Sequence, residues 1–272
     1  MDKETFLISR LNSKYIGDDA AVIGEMVYSA DAFCEGTHFR REWMSPAQIG
    51  RKAMLINLSD AVAMNADPLY ALVSVMVPRG LSENDITQLT DALEMTAGEY
   101  GCEIIGGDTV GGEALHLSIT LISRSDAPLM RSGLKPGDLL AYTGALGESK
   151  RDLEKLLRGE KIPRESRFYE PVLRREFVAK ARPWLRAGMD ISDGLYCDTG
   201  KMLDLNGLGL IPLIEIGSGI GESGEEYEML VAFPPENREV LEKIGEETQT
   251  PLHIFAEVGD NDFRYPCKSH HF

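Results

Sequence analysis

The chain has 272 residues, a formal net charge of -16 and 43% apolar residues. This length and apolar content support one large or two modest folded domains and exclude a disordered chain. Because DNA and RNA binding depends largely on Lys and Arg at phosphates, the acidic balance argues against a nucleic-acid partner.

Two further features bear on where the protein works. The longest strongly apolar stretch, residues 69–77, is too short to span a bilayer, and the N-terminus lacks the basic start and apolar centre of a signal peptide. We therefore expect a soluble, cytoplasmic protein with no membrane partner. The four cysteines form no C-x-x-C pair, so we expect them to be reduced and structural, in neither a zinc site nor a disulfide framework: Cys34, Cys102, Cys197 and Cys267.

The first half of the chain alternates helical and strand patterns. The patterns predict helices at 3–11, 45–66 and 82–101, and strands at 26–33, 69–77, 103–108 and 114–124. Ser45 is the expected N-cap of the second helix, with Pro46 at its first position. Ser82 and Asp85 form an expected capping box for the third helix, which Gly101 ends.

The second half begins a further series of strands and helices. Strands are predicted at 139–144, 208–216, 228–233 and 252–258, with helices between them. The Lys-Pro-Gly-Asp sequence at 135–138 is typical of a type II turn. We predict an α/β fold of two domains, residues 1–128 and residues 129–272.

Acidic residues recur beside small or apolar neighbours. They lie in five groups: Asp18 and Asp19; Ser29 and Asp31; Asn57 and Asp60; Asp108 and Thr109; Asp190, Ser192 and Asp193. Each acid taken singly also fits a helix cap or a turn. Five such groups with few basic neighbours in sequence instead favour carboxylates that bind metal, because a buried unpaired carboxylate is very costly. Oxygen ligands in this number suit Mg²⁺ or Ca²⁺, and Mg²⁺ is the usual bridge to nucleotide phosphates.

These motifs together resemble one known family. The segments IGDDAAVI, SADAFCEGTHF, KAMLINLSDAVAMNADP, IIGGDTVGG, RSGLKPGD, TGALGES, MDISDGL and GEEYEML occur in the order and approximate spacing of thiamine-monophosphate kinases, from about residue 15 to residue 233. The combination is highly specific, although GGDT alone is a weak signal.

The resemblance implies a fold and a reaction. The fold is that of aminoimidazole-ribonucleotide synthetase, with an N-terminal α/β domain that dimerises through its sheet and a C-terminal α/β domain. The reaction is direct, in-line transfer of the γ-phosphoryl group of ATP to thiamine monophosphate, giving thiamine diphosphate. ATP is then the co-substrate, several Mg²⁺ ions are the cofactors, and the protein is a homodimer.

The resemblance also assigns roles to residues. The implied Mg²⁺ ligands are Asp19, Ser29, Ala30, Asp31, Asp60, Asp108, Asp190 and Asp193. The implied nucleotide contacts are Gly107, Asp108, Arg131 and Ser192. His38 and Glu225 resemble substrate contacts, and Asp193 and Arg131 are the implied catalytic residues.

Four positions depart from the family pattern or have no role in it. Ala30 replaces a common threonine, so only its backbone carbonyl is available as a ligand, and Glu226 replaces a common aspartate. Ser269 stands near the place of a C-terminal aromatic residue, which alters that edge of the substrate pocket. Asp18 has no implied role, and we expect it to orient its turn.

Parts of the same sequence bear on other functions. A Walker A loop is absent, which excludes a P-loop kinase. The glycines at 219, 221 and 224 match G-x-G-x-x-G, but the segment after them leads into a strand, which argues against a dinucleotide site. A related ATP-dependent synthetase and a non-catalytic metal- or nucleotide-binding protein remain alternatives. ATP turnover with and without thiamine monophosphate distinguishes them.

Overall fold

The computed structural model describes residues 3–267 and confirms a mixed α/β architecture with two sheets. Its helices are α1 (Lys3–Ser9), α2 (Pro46–Ala63), α3 (Glu83–Glu99), α4 (Glu148–Leu157), α5 (Arg175–Ala181), α6 (Leu195–Asn206), α7 (Ser218–Gly221) and α8 (Arg238–Glu247). Its strands are β1 (Ala21–Ile23), β2 (Met26–Cys34), β3 (Asp67–Pro78), β4 (Glu103–Gly112), β5 (His116–Arg124), β6 (Leu139–Thr143), β7 (Ala187–Asp190), β8 (Gly209–Pro212), β9 (Met229–Phe233) and β10 (Leu252–Gly259). None of the helices in this part of the chain is long and apolar enough to cross a membrane.

The predicted helix starts are confirmed. The Ser45 side chain accepts a hydrogen bond from the backbone N–H of Gln48, whose side chain accepts one in return, and Pro46 opens α2. Ser82 and Asp85 form the same reciprocal pair at the start of α3. Each capping box satisfies backbone N–H groups that have no partner inside the helix.

The first sheet has the strand order β1-β2-β5-β3-β4. Its pairs are antiparallel except for β3 and β4, which run parallel because α3 carries the chain back between them. Helices α2 and α3 pack against one another and contact this sheet, and α2 is buried along most of its length. Apolar side chains on the sheet are also exposed to solvent, among them Tyr28, Tyr70, Leu72, Met76 and Val110.

The second sheet has the order β7-β9-β6-β10-β8 and is antiparallel throughout. Two short strands, β1 and β7, were not predicted, because three or four residues are too few to show a periodic pattern. The strand predicted at 208–216 ends at Pro212. The turn at 135–138 is confirmed: the Asp138 N–H donates to the Lys135 carbonyl at 3.1 Å, and Gly137 has the positive φ of 90° that the type II turn requires.

The two halves share their hydrophobic cores. Each sheet lies entirely on one side of residue 128. However, Leu156, Phe168 and Tyr169 pack into the core beneath the first sheet, and Val62 of α2 packs into a core of the second half. The division into domains 1–128 and 129–272 therefore stays a prediction. A cavity lies where the two halves contact one another.

Candidate active site

A cavity of about 740 Å³ lies where the two halves meet. Its walls come from the loop before β1, strand β2, helices α2 and α6, the loop before β9, and the segment after β10. Most of the acids singled out in the sequence line it, together with Arg131: Asp19, Asp31, Asp60, Asp190 and Asp193.

Three of these carboxylates form one cluster. Asp19 precedes β1, Asp60 lies on α2 and Asp190 ends β7, and their carboxylate oxygens lie within 4.8 Å of one another. Burial raises the pKa of Asp60 well above its ordinary value, and the charges of Asp31 and Asp190 raise it further. Burial and the charge of Asp19 raise the pKa of Asp190 in the same way, against a hydrogen bond from Ser59. The fold thus holds together carboxylates that repel one another.

Asp19 shows that this cluster suits a cation. The Arg131 side chain binds Oδ1 of Asp19, with Nε at 3.1 Å. The other oxygen, Oδ2, is buried and has no hydrogen-bond partner within residues 3–267. Burial raises the pKa of Asp19, and Arg131 opposes the rise. An orphaned carboxylate oxygen facing two further carboxylates fits a hard divalent ion such as Mg²⁺.

Neighbouring side chains orient the cluster. The Ser59 hydroxyl donates to Oδ2 of Asp190 at 2.5 Å, and it comes from the helical turn of α2 that also carries Asp60. The Asn57 side-chain oxygen accepts the backbone N–H of Asp31 at 3.0 Å, which ties β2 to α2. The predicted stripe of Asn57 and Asp60 therefore faces Asp31 of β2, as the helical spacing implied.

Asp193 lies in a separate ionic group. Lys201 of α6 binds the carboxylates of Asp193 and Asp198, the latter at 3.0 Å. The Asp193 backbone N–H also donates to Asp198 at 2.9 Å. Burial lowers the pKa of the Lys201 ammonium, but the two carboxylates outweigh that effect and hold its pKa above the ordinary value. Asp193 and Lys201 both line the cavity, as does Ser192. The ion pair of Asp193 and Lys201 therefore faces the same cavity as the carboxylate cluster.

The predicted substrate contacts also line the cavity. His38 Nδ1 accepts the Cys34 backbone N–H at 2.9 Å, so its remaining proton is on Nε2, and its ring stacks on Phe33. Glu225 forms an ion pair of 2.6 Å with Lys52 of α2. Both side chains thus have fixed orientations.

Three of the predicted site residues lie elsewhere in the described chain. Gly107 and Asp108 are exposed on β4 and do not line the cavity, and Asp108 accepts the Thr109 backbone N–H. A side chain at Gly107 would collide with the Val73 backbone on β3, which is a packing reason for glycine there. Ser29 is buried outside the lining, whereas Ala30 contributes to it. The nucleotide or metal roles of these residues stay predictions.

Asp18 orients its loop, as expected. Its carboxylate accepts the Arg131 backbone N–H, at 3.0 Å to Oδ2, and the Asp19 backbone N–H at 3.1 Å. Burial raises the pKa of Asp18 to about 6. By holding both backbones, Asp18 sets the approach of the Arg131 side chain to Asp19.

Sequence reasoning missed two lysines. The sequence signal for Lys201 was its i,i+3 spacing from Asp198 on a predicted helix, which is typical of an ion pair. Lys52 is fully buried, and its signal was a basic residue four and eight positions before Ile56 and Asp60, on the helical face of α2 that carries the predicted metal ligand. The expectation of few basic partners was therefore wrong for Asp19 and Asp193, which pair with cations distant in sequence.

The cysteine prediction was wrong for one pair. Cys197 and Cys267 form a disulfide with their Cα atoms 4.7 Å apart, while Cys34 and Cys102 are free. Tyr265 stacks on Tyr196 with ring centroids 4.5 Å apart, which brings the segment after β10 onto α6. A separation of 70 residues hid this contact from the sequence. Ser269, the predicted altered edge of the substrate pocket, lies outside the described residues.

Comparisons with known proteins agree with this geometry. Residues 17–124 match the family model "AIR synthase related protein, N-terminal domain". A thiamine-monophosphate kinase of Aquifex aeolicus is 31% identical over 208 residues, covering 73% of this chain and 68% of the relative. One of Leptospira interrogans is 33% identical over 233 residues, covering 77% and 75%.

Solved structures share the fold. "AaThiL complexed with AMPPCP and TMP" aligns with a TM-score of 0.83 at 25% identity, covering 95% of this chain and 90% of the other. The HypE-HypF complex aligns with a TM-score of 0.80 at 17% identity, a likeness of fold alone. The family prediction is confirmed: this chain belongs to the thiamine-monophosphate kinase family of AIR synthase-related proteins.

Proposed function

We propose that this protein transfers the γ-phosphoryl group of ATP to thiamine monophosphate, giving thiamine diphosphate, with Mg²⁺ as cofactor. The observation that carries the proposal is the cluster of Asp19, Asp60 and Asp190 in a cavity between the two halves, in a chain of this family. A relative in complex with AMPPCP, an ATP analogue, and TMP supports both substrates.

The charges of the reactants explain the acidic cavity. ATP and a phosphate monoester are both anions, so bringing them together in a protein of charge -16 requires cations. Asp19, Asp60 and Asp190 would hold Mg²⁺, with Asp31 beside them. When bound, Mg²⁺ neutralises phosphate charge and aligns the phosphates for in-line transfer.

The protein's own residues then position the reactants. Arg131 keeps Asp19 oriented through its side chain, and its guanidinium faces the cavity, where a phosphoryl group gains from a fixed positive charge. Asp193 lines the same cavity with its partner Lys201, and Ser192 precedes it in sequence for nucleotide contact. Because the acceptor is already an ionised phosphate oxygen, no strong general base is required, and catalysis rests on position and electrostatics.

The acceptor provides the direct test of this function. Purified protein with ATP and Mg²⁺ should phosphorylate thiamine monophosphate and leave thiamine largely unreacted, because an alcohol acceptor needs a base to remove its proton. Chromatography of the products with each acceptor decides the matter. Faster phosphorylation of thiamine than of its monophosphate would show that the proposed acceptor is wrong.

The proposal includes a homodimer formed through the first sheet. Exposed apolar side chains of that sheet, among them Tyr70, Leu72 and Met76, offer an apolar surface for a second copy. Light scattering at micromolar concentration should give twice the mass of the chain, and Leu72→Glu should reduce it to one chain. A wild-type protein of single-chain mass would contradict the dimer. The cytoplasmic location also remains part of this proposal.

A further inference from the structure

Lys52 is a buried cation that the proposed reaction does not yet use. Its side chain is 0% exposed, and its Nζ lies 4.3 Å from the ring centroid of Phe168 and 5.6 Å from that of Phe33. Burying an ammonium group costs several kcal/mol, so an ion pair of this kind contributes little net stability. What the ion pair does provide is a fixed position for its partner, Glu225.

Glu225 needs such a fixed position. It lies on the loop before β9, and its backbone has the left-handed φ of 54°, as does that of Tyr227. The Glu225 backbone N–H donates to the Ser192 carbonyl at 2.7 Å, so the same loop touches the segment that carries Asp193. The Glu225 carboxylate binds Lys52 through Oε2, is 26% exposed and lines the cavity.

The next carboxylate anchors the loop on its other side. Glu226 is fully buried, and its Oε1 accepts the backbone N–H groups of Gly147 at 2.7 Å and Ser149 at 3.1 Å, at the start of α4. Successive glutamates therefore point to opposite sides, one to α4 and one to α2. The orientation of Glu225 then depends on Lys52.

Helix α2 also sets the distance between the two ends of the cavity. Lys52, Ile56 and Asp60 are spaced by four residues and share one helical face, and eight residues of α-helix span about 12 Å. Asp60 belongs to the carboxylate cluster, whereas Lys52, at the other end of this face, holds Glu225 and lies 5.6 Å from the Phe33 ring on which His38 stacks. A substrate with phosphate at one end and an amino-substituted cationic ring system at the other matches this separation.

We infer that Lys52 is a positioning residue, which holds the Glu225 carboxylate in the orientation that binds the ring end of the phosphate acceptor. The inference rests on the proposed function and deepens it: Lys52 contributes to selection of the acceptor through Glu225, without contacting the acceptor itself. Lys52 balances the charge of the Glu225 carboxylate and fixes its position. Glu225 can then accept a hydrogen bond from the ring end of the acceptor at that fixed position.

Lys52→Met tests the inference, because methionine replaces the ammonium with an apolar group of similar length among aromatic rings. The KM for thiamine monophosphate and its Kd by titration calorimetry without ATP should both rise by about tenfold to a hundredfold, the usual cost of a misplaced positioning contact. The KM for ATP should change less than about twofold, since that end of the cavity is unaltered. Lys52→Gln keeps a hydrogen-bond donor and should retain part of the affinity for thiamine monophosphate. It replaces Lys52→Met in this test if the methionine variant does not fold.

Two further variants separate positioning from a structural role. Lys150→Met removes the ion pair of 3.0 Å with Glu222 on the same loop, and it should leave the acceptor Kd unchanged. In a Glu225→Gln background, Lys52→Met should have little further effect, because both changes remove one interaction. Fully additive effects of Lys52→Met and Glu225→Gln on the acceptor Kd would overturn this inference and leave the proposed function standing. The same holds if the acceptor Kd of Lys52→Met lies within twofold of the wild-type value. A wild type that binds no thiamine monophosphate would overturn the proposed function and this inference with it.

Discussion

Two groups of buried carboxylates in this protein differ in how their charge is balanced. Glu228 is fully buried and accepts hydrogen bonds from Arg174, at 2.7 Å from Nε, and from Thr143 at 2.6 Å, while Arg167 also pairs with it. Burial alone raises the pKa of Glu228, but the two arginines outweigh burial and hold its pKa below the ordinary value. The structure around Glu228 therefore stabilises its charged form.

The cluster of Asp19, Asp60 and Asp190 shows the opposite balance. Asp190 is buried and Asp19 and Asp60 are partly buried, but their nearest charges include one another, and each pKa is raised. Arg131 compensates only part of that charge. A matched carboxylate contributes to stability, whereas an unmatched cluster sacrifices stability and gains affinity for a cation. We therefore expect Glu228 to serve the stability of the fold and the cluster to serve the proposed function, and four experiments test this difference.

Removal of divalent metal should have the largest effect. In excess EDTA we expect turnover to fall to background, because the phosphates of the two reactants then have no bridging cation. Adding Mg²⁺ back should restore turnover and raise the melting temperature, since an ion that binds only the folded state stabilises it. Full turnover in EDTA would show that the carboxylate cluster is not a metal site.

Glu228→Gln should have the next largest effect, on stability. The change leaves Arg167 and Arg174, whose side chains are 11% and 14% exposed, without their carboxylate. Breaking a buried ion pair in this way costs about 3–5 kcal/mol. Urea unfolding measures the loss, and turnover per folded molecule should stay near the wild-type value. Unchanged stability would mean that the matched group does not stabilise the fold.

Asp60→Asn makes the same chemical change in the unmatched cluster and should have the opposite effect on stability. Removing one charge relieves the repulsion from Asp31 and Asp190, so the metal-free variant should melt at the same or a higher temperature than the wild type. Turnover in saturating Mg²⁺ should fall by about a hundredfold or more, because a metal ligand is lost. A destabilised variant with normal turnover would remove Asp60 from the site.

The stability difference between Asp60→Asn and the wild type should also depend on pH. Since the pKa of Asp60 is raised in the folded state, the folded wild type binds more protons than the unfolded chain above about pH 4, and its metal-free stability falls as the pH rises toward that raised pKa. Asn does not titrate. The stability advantage of the variant should therefore grow between pH 5 and pH 8, measured by urea unfolding without metal. An advantage that shrinks over this range would contradict the raised pKa.

The sequence by itself determined the local structure and the residue types that line the candidate site. Capping residues such as Ser45 and Ser82 fix helix starts through contacts within four residues, and the Lys-Pro-Gly-Asp turn is fixed by the preferences of its own members. The acids beside small residues also predicted a metal site, because burying unpaired carboxylates is too costly to be incidental. These signals depend only on residues that are close in sequence, so they can be recognised without the structure.

The tertiary structure alone decided which charges meet. Asp19 and Arg131 are separated by 112 residues, and Lys52 and Glu225 by 173. The disulfide between Cys197 and Cys267 likewise depends on the segment after β10 packing on α6. The packing of α2 between the two halves and the order of strands in each sheet decide which of these residues come into contact. No local pattern encodes that order, because burial of the apolar faces of the whole chain selects it.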